Sequence, residues 1–292
     1  MSQQKRSVQG FALAVLSLTA SMGYGDTSTT ALPSAATPSV TATAPAASQG
    51  KFYGMLDVRP SLSTTGNNSF VENAVEAGYS FNSNVRLSYL AAFDNNIADS
   101  SRPGFVVKMW NGFARMRVRN ILVSDDKSLS LNYQGRIYTP NDPNEQAKGH
   151  ITTLRNYLTV KKTFSPSFSM SLSEVPILHA YSKDAQNNSA NKSLFENMMI
   201  LDATITIAGP VSFYLPVVFN VANFRNVPGA KKSGTQSSLL FIYPELGVAI
   251  NDKHTVGLSY YSSNLVKADL SAFSLGDGLK DGVVQLFWTA LL

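Results

Sequence analysis

The chain has 292 residues, a formal charge of +5, 15% charged residues and no cysteine. The missing thiols exclude a disulfide framework and any thiolate nucleophile or metal site. The charge is small and evenly spread, falling to +3 once Lys5 and Arg6 leave with a leader, so it gives no electrostatic footprint for nucleic acid.

At the N-terminus, Lys5 and Arg6 precede the apolar run Phe11-Ala12-Leu13-Ala14-Val15-Leu16-Ser17-Leu18, followed by small residues up to Gly25. A basic start, a short apolar centre and a small-residue cut before Asp26 predict a secretory signal peptide over 1–25. The run is too short to cross a bilayer as a helix, and no other stretch approaches 18 apolar residues. Residues 26–50 are Thr, Ala, Ser and Pro with almost no charge. Such composition buries too little surface to offset its ordering entropy, which predicts a flexible linker, either a plain spacer or a partial plug.

From Lys51 onward, segments of about ten residues alternate apolar and polar side chains. Twelve strands are expected, near 51–60, 70–81, 85–94, 105–121, 128–139, 151–163, 167–180, 196–208, 211–223, 238–250, 254–264 and 283–292. Five junctions are tight and rich in turn residues: Asn82-Ser83-Asn84, Ser124-Asp125-Asp126-Lys127, Ser165-Pro166-Ser167, Ala208-Gly209-Pro210 and Asn251-Asp252-Lys253. The other junctions are longer and polar, and short and long alternate throughout. In the third segment Val85, Leu87, Tyr89, Ala91 and Phe93 share one face, while Arg86, Ser88 and Asp94 share the other. The last segment keeps Val284, Leu286, Trp288, Ala290 and Leu292 in phase. Aromatics near strand ends suggest two interfacial girdles, with Tyr79, Phe81, Phe168 and Phe213 low and Trp110, Tyr138, Tyr181 and Phe224 high. Pro176 and Pro244 each remove a ladder donor, so a bulge or register shift is expected at both.

Period-two alternation with matched short and long connections predicts an all-β chain, a transmembrane antiparallel up-and-down barrel of about twelve strands over 51–292. A soluble β-sandwich also alternates, but its strands are shorter and its polar face need not carry long arginines.

These features resemble a bacterial outer-membrane β-barrel of porin type. The final strand is similar to the assembly signal of that family, although it ends on Leu292 rather than Phe or Trp. The resemblance implies a Gram-negative outer-membrane location, contact with outer-membrane lipids, insertion by the outer-membrane assembly machinery, and passage of small hydrophilic solutes without a cofactor. It leaves the oligomeric state open.

The polar face holds the candidate pore-lining residues. Arg86, Arg115, Arg117, Arg119, Arg136, Arg155 and Lys161 point inward from strands three to six in the predicted phase. Asp57, Glu72, Glu76, Asp202 and Glu245 point inward from strands one, two, eight and ten. Arg115, Arg117 and Arg119 are the clearest case, because period two puts three guanidinia on one face, and lipid would penalise each by roughly 2–4 kcal/mol at mid-depth. A basic wall facing an acidic wall sets ion preference, here for anions. The same groups could instead pair with one another and fill a narrow barrel.

For enzymes the pattern is thin. His150, His179 and His254 are the three histidines, each near a strand end. None has the His-x-Ser-Asn-Gly neighbourhood of outer-membrane phospholipases; His179 has Ser173 and Asp184 within conceivable reach. No metal-ligand spacing, phosphate-cradling Gly motif or nucleophile elbow occurs. The expectation is therefore a passive channel, not an enzyme, with no catalytic or metal site. A non-conducting barrel whose outer loops bind a partner is the alternative.

Overall fold

The computed structural model describes residues 51–64, 68–99, 106–147, 149–182, 193–224, 236–267 and 269–292. The expected leader and linker at 1–50 lie outside the described residues. Fourteen strand segments follow in order: β1 (Lys51–Ser63), β2 (Asn68–Ser80), β3 (Val85–Asp99), β4 (Val106–Met109), β5 (Phe113–Val123), β6 (Leu129–Tyr138), β7 (His150–Ser165), β8 (Phe168–Tyr181), β9 (Ser193–Ala208), β10 (Val211–Phe224), β11 (Gln236–Ile242), β12 (Glu245–Ala249), β13 (His254–Tyr261) and β14 (Val283–Leu291). Two short helices, α1 (Pro143–Ala147) and α2 (Leu275–Lys280), sit in long connections.

These segments build twelve barrel strands. β4 and β5 both pair with β3 and are halves of one strand; β11 and β12 both pair with β10 and are halves of another. Every neighbour is antiparallel, β14 pairs with β1, and no edge is left open. Closure satisfies the backbone without water, as a hydrocarbon environment demands.

The tight turns are made by their own side chains. Asn82 Oδ1 accepts from the N–H groups of Asn84 and Val85, both at 2.8 Å. Asn251 Oδ1 does the same for Lys253 and His254 at 2.8 and 2.9 Å. Gly209 supplies a positive φ of 50° between β9 and β10. In the β5–β6 turn, Asp126 accepts from the Ser124 and Ser128 hydroxyls, and these bonds hold its carboxyl below the usual range.

Irregularities fall where the ladder needs them, and not at the expected prolines. The β8–β9 ladder runs through Pro176↔Asn197 with unbroken register. Across the β11–β12 interruption, Val217↔Ile242 and Tyr214↔Glu245 keep one register, so Pro244 opens a gap without a bulge. Pro216 lies opposite that gap and its carbonyl still accepts from the Tyr243 N–H, so neighbouring backbone keeps the strand aligned. The register shifts instead between Val118 and Leu122, where Asn120 adopts a φ of 54°. At the β4–β5 break, a Cβ on Gly112 would lie 2.5 Å from the Tyr89 hydroxyl, so only glycine allows that close approach.

Alternation sorts the side chains as the sequence predicts. Outward positions carry exposed Val75, Leu87, Met116, Ile137, Leu154, Leu178, Leu201, Leu258 and Leu286. At the tight-turn end Phe52, Tyr79 and Phe81 form an edge-packed aromatic group, and Phe164 stacks on Phe168. The expected upper girdle is different. Tyr138 is 4% exposed and faces inward, Tyr181 packs tilted against His150 and stacks on His179, and the Trp110 ring lies under the Lys108 ammonium at 4.1 Å. Those rings serve the barrel mouth, not the lipid interface.

Candidate functional site

The inward face divides into a charged sector and an apolar one. Both follow from phase: on each strand the inward set is every second residue, and register decides what meets across strands.

At the seam between first and last strands, Arg59 donates from Nε to Asp57 at 2.6 Å and from Nη1 to Glu245 at 3.0 Å. Its guanidinium lies over the Phe287 ring at 5.0 Å. Thr289 donates to Asp57 at 2.6 Å, and Gln285 donates to Ser61 and to Glu72, both at 2.9 Å. Thus Asp57, Glu72 and Glu245 lie inward as expected, but they knit β1, β2, β12 and β14 together around Arg59. Sequence reading passed over Arg59, although it shares the phase of Asp57.

Farther round the wall the arginines stand side by side. Arg115 pairs in register with Arg136, and Arg136 with Arg155, so three guanidinium-bearing positions adjoin on β5, β6 and β7. One step lower, Arg86 pairs with Arg117. Like charges directly opposite are unfavourable, and the surroundings offset this. Glu76 forms an ion pair with Arg115, both almost fully buried. The Arg136 guanidinium lies over Tyr157 at 4.4 Å and Phe113 at 4.7 Å, and that of Arg155 over Tyr138 at 4.7 Å. Arg117 donates to Gln134 at 2.8 Å, and Arg86 lies over Tyr53 at 5.5 Å. Arg119 sits at the bulge, its backbone N–H donating to Asn84 at 2.8 Å. Lys161 registers with Ser130 and Ser171. Asp202 accepts from Tyr214 at 2.6 Å and Ser171 at 2.8 Å, away from the arginine row.

Burial differs within this set. Arg115, Arg136, Asp57, Glu76 and Glu245 are closed off by neighbours, whereas Arg86, Arg117, Arg119, Arg155, Lys161, Glu72 and Asp202 keep part of their surface. The Nε atoms of Arg86, Arg136 and Arg155 and the Nη1 of Arg115 have no hydrogen-bond partner among the described residues. These atoms are shielded from solvent, so their missing partners are a cost of packing guanidinia into the wall.

The apolar sector holds Val175, Ile177, Met198, Ile200, Val218, Phe241, Tyr243 and Tyr261 as one buried cluster with Tyr157. Val175 and Val218 are 0% exposed, and Tyr243 stacks on Tyr261 at 4.8 Å. Nothing in the alternation signalled this, because inward positions were expected to be polar.

Near the mouth, two of the three histidines are joined. His150 is 6% exposed and meets the Thr153 hydroxyl at 2.8 Å; that hydroxyl meets His179 Nδ1 at 2.8 Å. His179 Nε2 meets Glu196 at 3.0 Å, and Asn220 donates to the same carboxylate at 2.9 Å. The order hydroxyl–imidazole–carboxylate is that of an activated nucleophile, but the hydroxyl is buried beneath His150. Ser173 instead meets Thr159 at 2.7 Å, and Asp184 lies outside the described residues. His254 stacks on Trp288 on the outer face. Among the described residues no group of three or more acidic or histidine side chains could hold a metal.

No family model and no curated protein sequence matches the chain. Solved structures do. The NanC porin superposes with a TM-score of 0.53 at 10% identity, covering 80% of this chain and 98% of that one. An outer-membrane channel from Pseudomonas putida F1 superposes with a TM-score of 0.56 at 8% identity, covering 85% of this chain and 97% of that one. At such identity the likeness is one of fold. With its closed wall, apolar outer band and these neighbours, the chain has the architecture of a porin-like outer-membrane β-barrel.

Proposed function

We propose that the protein is a porin-like channel through which small hydrophilic solutes diffuse passively, with a preference for anions. The observation that carries this is the register Arg115–Arg136–Arg155, three arginines adjoining on one inward row. Among the described residues only Arg115 of these three has a carboxylate at ion-pair distance. Charged rings set ion preference in pores, and a row of adjoining guanidinia supports a preference for anions. The passage would follow the partly uncovered side chains of Arg86, Arg117, Arg155 and Lys161. Arg115, Glu76 and the seam around Arg59 would be the rigid wall behind it. The role needs no cofactor and no chemical step. Residues 1–25 would act as the export leader and 26–50 as a spacer, with insertion by the assembly machinery of a Gram-negative outer membrane.

A second reading is a filled, non-conducting barrel that presents its loops. Its support is the dry cluster around Val175 and Val218. Refolding the barrel and recording single-channel currents in a planar bilayer separates the two. Stepwise conductance is the expected result, and a silent bilayer containing folded protein would favour the filled barrel.

A further inference from the structure

The last long connection, between β13 and β14, leaves Leu270, Phe273, Leu275 and Leu279 exposed, Phe273 at 73%. It is nevertheless tied to the barrel. The Ser263 N–H donates to the Gly278 carbonyl and the Ser274 N–H to the Leu265 carbonyl, both at 2.9 Å. Gly278 is buried, and a Cβ there would lie 2.7 Å from the Leu265 side chain and 2.8 Å from the Asn264 carbonyl oxygen. Gly278 therefore marks the side of α2 that faces the barrel. At about 100° per residue, Leu275 and Leu279 share one flank of that direction, and Asp277 and Asp281 share the other.

The C-terminal end of α2 stands over the lipid-facing side of the wall. Tyr260 lies between Ser259 and Tyr261, which face inward at 1% and 8% exposure, so its ring is on the outer face, in register with Val284 and, beyond it, Leu62. The Tyr260 hydroxyl donates to the Leu279 carbonyl. Six residues of strand at roughly 3.3 Å each, tilted by roughly 40°, raise Tyr260 about 15 Å above His254. The His254 ring stacks on Trp288 on the same outer face. Measured from that aromatic pair, an apolar band about 25 Å tall reaches past Tyr260, so α2 lies at its upper edge and not on a stalk above it. The helix end also dispenses with water. The carbonyls of Asp277, Gly278, Leu279 and Lys280 accept from the Asp281 N–H, the Ser263 N–H, the Tyr260 hydroxyl and the Thr64 hydroxyl. In water a helix can leave such carbonyls to solvent, whereas beside hydrocarbon the protein must supply their partners.

We infer that this connection is a membrane-interface element whose occupant is lipid. The Leu275–Leu279 flank of α2 rests in the acyl chains at the outer boundary, continuous with the exposed Leu62, Val284 and Leu258 of the apolar band, while Asp277 and Asp281 face water.

The chain contains no cysteine, so single cysteines are clean probes. Leu275→Cys, Leu279→Cys and Asp277→Cys are made in the full chain, spin-labelled and refolded into phosphatidylcholine vesicles. Leu258→Cys on the outer wall serves as the hydrocarbon reference and Asp252→Cys in a tight turn as the aqueous one. The measurement is the ratio of collision rates with oxygen, which concentrates in acyl chains, and with a water-soluble nickel chelate. Labels at 275 and 279 should give ratios at least fivefold above that at 252 and approaching that at 258, with the label at 277 close to 252. The two leucine positions report the same flank independently, so loss of one variant leaves the question decided. Ratios at 275 and 279 equal to that at 252 would place the flank in water. A ratio at 277 as high as theirs would remove the two-sided arrangement, and spin–spin broadening that vanishes on dilution with unlabelled protein would put a second copy where lipid is expected. Each of these results would overturn the proposal. Conduction does not enter the measurement, so the transport reading stands or falls separately.

Discussion

The two halves of the inner wall solve the same problem in opposite ways. From β1 through β7, inward positions are charged and are stabilised by pairing or by aromatic faces: Arg59 with Asp57 and Glu245, Arg115 with Glu76, Arg136 over Tyr157. From β8 through β13, one band of inward positions is apolar, with Val175, Ile177, Met198, Ile200, Val218, Phe241 and Tyr261 packed against one another. The contrast shows that an inward side chain in a barrel of this size need not be wet. The apolar sector behaves as a core that narrows the interior.

Breaking the charged half should cost most. Glu76→Leu leaves Arg115 buried without its partner, and such uncompensated charge costs about 3–5 kcal/mol. Urea unfolding of the refolded barrel in lipid should show a loss of that order, whereas replacing Glu76 and Arg115 together by apolar residues should recover much of it. In the apolar half, Ile177→Ala should destabilise by about 2–5 kcal/mol if the site is a packed core. A near-neutral result in the same titration would mean that Ile177 lines water. The variant should also raise single-channel conductance by widening the interior.

A gentler separation of the two halves comes from Arg155→Ala. It removes the guanidinium of a residue that keeps part of its surface, and the expected result is a reversal potential shifted away from anion preference by a measurable fraction. The smallest effect lies outside the wall, in the β5–β6 turn. The Asp126 carboxyl is held below its ordinary value of 3.8 by the Ser124 and Ser128 hydroxyls. Its contribution is therefore complete above about pH 5 and declines as pH falls through the lowered folded value. Amide protection in that turn, corrected for the intrinsic pH dependence of exchange, should fall on acidification, and Asp126→Asn should abolish that fall while leaving the barrel intact.

Much of this architecture was legible because period two is a local property. The strand segments, the turn residues Asn82 and Asn251, and the inward phase of Arg115, Arg136 and Asp202 need only neighbouring residues to be recognised. Register is not local. That His150 and His179 would share the Thr153 hydroxyl, or that three arginines would adjoin, depends on how β5 to β8 slide past one another. The sequence also could not show that Pro176 and Pro244 would sit in gaps of an unshifted ladder, because neighbouring strands hold the alignment. Arg59 could have been found from phase alone, because it is in step with Asp57. Tyr138 was misassigned to the lipid interface because its position near a strand end was weighed above its phase.

The zero-current potential of the refolded channel across a salt gradient bears most directly on the account. A potential whose sign reports anion flow, reduced when Arg117 and Arg155 are replaced by Ala, is the predicted outcome. Cation preference in the unaltered protein, or no current at all from folded barrels, would contradict it.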